Sequence, residues 1–128
     1  MNIVVWIVQI LAALAFGASG FFKIAQPIDS LAQMMPWVTA LPAVVVRFIG
    51  VAELLGAIGL ILPGLTKIQP RLTVYAGAGL VVVMILAALF HITRGEFGNI
   101  GANAVLGVLA AVVAFMRRPW LSVSQARA

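Results

Sequence analysis

RFIGVAELLGAIGLILP, residues Arg47 to Pro63, is an apolar run with a single carboxylate, Glu53, near its middle. Gly50 and Gly56 flank that carboxylate three residues to either side, and Arg47 precedes it by six. In a bilayer an acidic group at such depth costs roughly 2.5–3.5 kcal/mol even on the more lenient insertion scales, so it faces a partner, a proton path or a polar cavity. At about 100° per residue, Arg47, Gly50, Glu53 and Ala57 share one face of a helix. The remaining faces carry Ile, Leu and Val, the composition of a surface turned to lipid.

The rest of the chain supports that reading. Of its 128 residues 64% are hydrophobic and only 9% charged, with a mean hydropathy of +1.19. Soluble domains are about 45–50% apolar and about 25% charged, so this composition marks an integral membrane protein. The net charge of +5 comes from Lys and Arg scattered singly between apolar runs, without a basic face, and excludes a nucleic-acid footprint. These cations read as topology signals and contacts to anionic lipid. There is no cysteine, which excludes disulfides, thiolate nucleophiles and Cys-ligated metals.

Four spans are expected, at about residues 3–22, 44–62, 72–91 and 100–116, folding as an all-α, up-down antiparallel bundle within residues 1–118. The first, lacking a basic leader and a clear cleavage site, reads as a retained helix and not a signal peptide. At ~1.5 Å per residue each long run crosses a ~30 Å hydrocarbon core. On the first span Gln9, Ala13, Phe16, Gly20 and Lys23 share a face, with Ser19 at its edge. Gln9 reads first as an interhelical hydrogen-bonder, and Lys23 as a snorkelling span end. Residues 23–43 form the long connection, punctuated by Pro27, Pro36 and Pro42. Asp29 or Ser30 is the expected cap of a short helix there, and Met34, Met35 and Trp37 suit the headgroup layer, so the segment reads first as an interfacial connector and second as a partial lid over the bundle. Pro63-Gly64 is expected to end the second span. The third closes on HITRGEF, a polar knot of His91, Arg94 and Glu96; Asn99, Asn103 and Gly107 recur every four residues on the fourth.

Positive charge orients the chain. Lys67, Arg71, Arg117, Arg118 and Arg127 share one side; Lys23, Arg47 and Arg94 share the other. The excess places both termini, and a tail from 119 to 128, in the cytoplasm. In this topology the outer half of the bundle collects Lys23, Arg47, Glu53, His91 and Asn103 around one cavity or network, with Glu53 about 14 Å from the start of its helix. Glu53 is then either ionised and paired with Arg47 or Lys23, or protonated and able to donate or carry a proton. A purely structural role, charge compensation that fixes helix register, is the competing reading. One histidine at a helix end reads as an interfacial hydrogen-bonder, which argues against a metal or haem ligand.

The motifs G-x-x-K at Gly20–Lys23, R-F-I-G-x-A-E-L-L-G at Arg47–Gly56, L-I-L-P at Leu60–Pro63 and H-x-x-R-G-E at His91–Glu96 together give the chain a resemblance. From about Ile3 to Arg117 it is similar to the DoxX-like family of small four-helix bacterial cytoplasmic-membrane proteins. That family takes its name from a subunit of an archaeal thiosulfate:quinone oxidoreductase, and some relatives are linked to membrane-associated oxidative-stress complexes. The resemblance implies a redox-linked membrane subunit, with a quinone as the cofactor and a soluble or membrane oxidoreductase subunit as partner. The absence of cysteine argues against direct sulfur transfer.

Three functions compete on this sequence. In a quinone-interacting subunit, Arg and His would bind a carbonyl while Glu53 exchanges a proton. A proton-coupled exporter would use Glu53 as its membrane carboxylate, although small multidrug transporters carry theirs in the first span. For a non-catalytic assembly scaffold the small-residue faces suffice. Gly77, Gly79, Gly107 and Ala111 are close-packing positions and predict a homo-oligomer, most simply a dimer.

Overall fold

A computed structural model describes residues 2–122. The element order is α1 (Asn2–Ala25), α2 (Ile28–Met34), a 3₁₀ turn (Pro36–Ala40), α3 (Ala43–Thr66), α4 (Arg71–Thr93) and α5 (Phe97–Met116), with no strand among the described residues. Three helices, α1, α3 and α4, are long and apolar enough to cross a membrane; the fourth apolar stretch, Ile100–Met116, is shorter. The tail beyond Ser122, Arg127 included, and the Asn99 side chain lie outside the described residues.

Helix α1 packs on α3, α3 on α4, α4 on α5, and α5 returns to α1. Ala12, Phe16, Ala57, Leu60, Leu80, Met84, Ala110 and Val113 form the shared core. Outward, Ile7, Leu14, Phe48, Leu55, Ile85 and Val108 are exposed, an apolar surface that suits a lipid solvent. The tightest crossing is between α1 and α3. A Cβ added at Gly20 would lie 2.6 Å from the Gly50 carbonyl oxygen, and one at Gly50 would lie 2.8 Å from that of Gly20. Only glycine on both helices lets the two backbones touch.

Several helix boundaries differ from those read in the sequence. Lys23 does not end its span, because α1 continues to Ala25. Nor does Pro63 end α3, which runs through it to Thr66. Proline brings no N–H to the carbonyl four residues back, Gly59. The Thr73 hydroxyl donates to that oxygen at 2.9 Å, so a neighbouring helix supplies what Pro63 lacks. Helix α2 starts after Pro27 without a side-chain cap, in place of the expected Asp29 or Ser30. Its backbone supplies the first bond, from Leu31 N–H to the Pro27 carbonyl at 3.0 Å.

The connection between α1 and α3 is more than an interfacial strap. Leu31, Val38 and Val46 bury one another fully, giving it a small core of its own against the start of α3. That core anchors the segment carrying Trp37 over the ends of α1 and α4. Gly77 and Gly107 are also occupied within the chain, Gly77 against Ala110 and Ala114 and Gly107 against Met84. They serve the α4–α5 contact, which leaves Gly79 and Ala111 open of the four small positions expected at an oligomer surface.

Candidate functional site

The glycine crossing places the charges. Because the helices run antiparallel, each glycine seats the other helix's charged residue: a Cβ at Gly20 would lie 3.2 Å from Glu53 Cβ and one at Gly50 would lie 2.8 Å from Lys23 Cβ, which brings the two side chains within reach of each other. Lys23 Nζ donates to Glu53 Oε1 at 2.6 Å and to Ser19 Oγ at 2.8 Å, while the Ser19 hydroxyl donates to the same Oε1 at 3.3 Å. Lys23 is 6% exposed and Glu53 fully buried, so this is an ion pair removed from water. Lys23 therefore turns inward and does not snorkel. The Trp37 ring stands 5.5 Å from its ammonium nitrogen, within cation–π range.

Arg47 is not Glu53's partner. Its Nη1 donates to the carbonyls of Lys23 at 2.7 Å and Gln26 at 2.6 Å. These groups lie at the end of α1, where carbonyls lack intrahelical donors, so Arg47 caps one helix from another. The guanidinium holds the backbone beside Lys23 and leaves the carboxylate to the ammonium.

At the α4–α5 corner the polar knot forms as expected. Gly95, at φ +70°, takes the left-handed conformation that turns the chain back, and the Glu96 N–H reaches the His91 carbonyl at 2.8 Å. Glu96 Oε1 then lies 3.0 Å from both His91 Nδ1 and Arg94 Nε. An ionised carboxylate only accepts, so His91 carries a proton on Nδ1. Arg94, and then His91, hold the Glu96 carboxyl below its ordinary value of 4.5. With its carboxylate so occupied, Glu96 gives α5 no side-chain cap.

Trp37 packs edge-on against Phe90 at 6.0 Å and His91 at 5.7 Å. Beneath it is a cavity of about 410 Å³, within the usual range for small-molecule pockets. Its walls are apolar, including Met84 and Leu106, and its polar lining is Ser19, Lys23, Glu53, His91 and Asn103. Two of these residues hold a buried polar atom without a partner among the described residues: Glu53 Oε2, an acceptor when ionised, and Asn103 Nδ2, a donor. The cavity also reaches Phe48, which is 72% exposed on the outer surface, so one wall adjoins the lipid-facing side.

Of the residues singled out in the sequence, Lys23, Glu53, His91 and Asn103 line this cavity together. Arg47, Arg94 and Glu96 support it without lining it. Gln9 belongs to the far end of the molecule. Its Nε2 donates to the Leu60 carbonyl at 2.7 Å and its Oε1 accepts from Arg117 Nε at 2.6 Å. Sequence reasoning missed the engagement of Ser19 and Trp37 and the burial of Arg117. Ser19, one helical turn before Lys23, carried a usable signal, whereas nothing local distinguishes Trp37 from an ordinary headgroup-layer tryptophan.

Comparison with known protein families matches residues 7–113 to the DoxX-like family, and the chain belongs to that family. With its membrane-spanning helices it is a multi-pass membrane protein. No curated protein and no solved structure matches the chain.

Proposed function

We propose that this chain is a four-span, up-down bundle of the bacterial cytoplasmic membrane that binds a small apolar molecule through a polar head. The observation that carries this reading is the 410 Å³ apolar cavity lined by Glu53 and Asn103, whose Oε2 and Nδ2 are buried with no partner among the described residues. An unsatisfied buried polar group costs about 1–3 kcal/mol, so a ligand that meets both atoms recovers that penalty on binding. The ligand class supported is a hydrophobic molecule whose head offers one acceptor to Asn103 and one donor to Glu53. A quinol or semi-reduced quinone has this character, and its ring suits the Trp37, Phe90 and His91 wall. The Lys23–Glu53 pair would hold the proton that leaves or joins the head group as the ligand changes redox state. An electron-transferring partner subunit is part of the same reading.

Several features support the topology. Each contact pairs rising numbers on one helix with falling numbers on the next: Gln9 with Leu60 and Lys23 with Glu53, Gly56 with Leu80 and Gly59 with Ala76, Gly77 with Ala110 and Gly107 with Met84. At 20 residues α5 is about 30 Å long, enough to span if its first turn counts. The basic end, with both termini, then faces the cytoplasm.

Export of an organic cation fits the cavity less well. Lys23, 2.6 Å from Glu53, already occupies the place such a cation would need. The test is to purify the chain from native membranes, extract it with solvent and identify what it retains, alongside an Asn103→Leu variant. The wild type should retain a redox-active hydrophobic molecule that the variant loses. Equal, lipid-like extracts from both would overturn the proposal.

A further inference from the structure

At the end opposite the cavity a second buried charge is arranged differently. Arg117, only 6% exposed, follows the last residue of α5. Its Nε donates to Gln9 Oε1 at 2.6 Å and its Nη1 to Asn2 Oδ1 at 2.6 Å. Its guanidinium carbon lies 4.3 Å from the Trp120 ring centroid and 5.4 Å from that of Trp6. Nη2 is buried and has no hydrogen-bond partner among the described residues. Among the described residues every contact is neutral, so neither the charge nor the last nitrogen is matched.

No carboxylate side chain of this protein can supply the missing charge. The sequence holds three acidic residues, Asp29, Glu53 and Glu96. Glu53 and Glu96 are paired at the cavity end, and Asp29 lies in α2, which packs with the 3₁₀ turn there. The Arg117 end carries Lys67, Arg71, Arg117 and Arg118 and no acid among the described residues. Lys67 and Arg71 share this end because the two indoles lie against Gly64, where an added Cβ would approach both to within 2.8–2.9 Å.

We infer that this end is a docking site for the phosphate of an anionic phospholipid, with Arg117 as its fixed anchor. Three observations select a lipid. Trp6 and Trp120 are half-buried, as tryptophans at headgroup depth are. Ile3, Leu65, Phe115 and Met116 expose apolar side chains near the cluster in sequence, a surface for an acyl chain. The guanidinium still has one N–H on Nη1 and both on Nη2 unused, a fork that matches two phosphate oxygens in a way an ammonium cannot. Arg71 and Arg118 contribute diffuse attraction around that anchor. Because Nη2 is covered here, seating a phosphate requires Trp120, on the turn after Pro119, to move aside.

Native mass spectrometry of the full-length protein released from detergent, with phosphatidylglycerol or phosphatidylcholine added, tests this directly. The wild type should retain one phosphatidylglycerol per chain, at least about tenfold over phosphatidylcholine, even in salt that screens exposed charges. Arg117→Lys should lose about tenfold in retention because it keeps charge but not the fork. Arg71→Gln with Arg118→Gln should lose roughly fivefold per charge at low salt and little at high salt. Equal retention of the two lipids would overturn the inference, as would unchanged retention by Arg117→Lys or a thermal shift with inorganic phosphate matching that with lipid. Should Arg117→Lys fail to fold, the wild-type lipid preference at high salt decides alone, its absence counting against the site.

Discussion

The two ends of this molecule bury charge in opposite ways. At the cavity end Lys23 meets Glu53 at 2.6 Å, and the space beside them stays open. At the basic end Arg117 meets only amide oxygens and indole rings, and the space around it is filled by Trp6 and Trp120. A matched pair tolerates a low-dielectric surrounding because each charge solvates the other. A lone guanidinium relies on its delocalised charge, weak hydration and neutral hydrogen bonds. The comparison assigns the ends different tasks. The first holds a polar group ready beside a vacancy; the second ties the first residues of α1 to the end of α5.

The largest effect should come from unpairing the cavity end. Lys23→Met leaves a fully buried carboxylate without its cation and should cost about 3–5 kcal/mol. Glu53→Gln should cost less, and the double variant should recover much of the first loss. Unfolding of these variants in one detergent forms a double-mutant cycle, and additive losses would break the proposed pairing. Arg47→Ala combined with Glu53→Gln should, by contrast, be additive, since Arg47 bonds α1 carbonyls and not the carboxylate.

At the other end Gln9→Leu removes the acceptor for Arg117 Nε and the donor to the Leu60 carbonyl. It should cost about 2–3 kcal/mol while leaving ligand binding in the cavity unchanged. A loss of binding as large as that from a cavity variant would show that the ends do not act separately.

A smaller test concerns the proline in α3. Thr73→Val strands the Gly59 carbonyl that Pro63 leaves without a donor and should cost about 1 kcal/mol. Adding Pro63→Ala restores an N–H at that position, so the same Thr73→Val change should then cost measurably less. Identical costs in both backgrounds would mean the hydroxyl is not replacing the missing backbone bond.

The smallest effect is in pH. Arg94 and His91 hold the Glu96 carboxyl below 4.5, so its contribution to stability is complete above the unfolded value. That contribution is lost as the pH falls below about 4.5 and through the folded value. Unfolding followed downward from neutral pH should therefore steepen in acid for the wild type more than for Glu96→Gln. Equal slopes would remove the corner from the account.

How much of this was readable in the sequence depends on distance along the chain. Helices announce themselves through continuous apolar runs, and α1, α3 and α4 were legible to within a few residues. The HITRGEF knot was legible because its three polar groups are neighbours. Lys23 and Glu53 were both candidates, but choosing between Lys23 and Arg47 needed the Gly20–Gly50 crossing, a contact between helices thirty residues apart. The passage of α3 through Pro63 was hidden for a similar reason, since its compensation comes from Thr73 on another helix. Arg117 looked like one of a basic pair stopping a span. Its burial depends on Asn2, Gln9 and Trp6 at the far end of the sequence.

The central claim is that the cavity under Trp37 binds an apolar ligand through Glu53 and Asn103. Trp37 lies in the cavity wall, and the other two tryptophans lie at the opposite end. In a chain carrying Trp6→Phe and Trp120→Phe, a short-chain quinone added at fixed detergent concentration reports on Trp37 alone. The account predicts saturable quenching of Trp37 emission, weakened about tenfold by Asn103→Leu, the loss expected from one buried hydrogen bond to the quinone carbonyl. The matching quinol, whose hydroxyl donates to Glu53, should relieve that quenching, about tenfold less effectively in Glu53→Gln. Quenching that rises linearly with quinone, unchanged by Asn103→Leu, would contradict it.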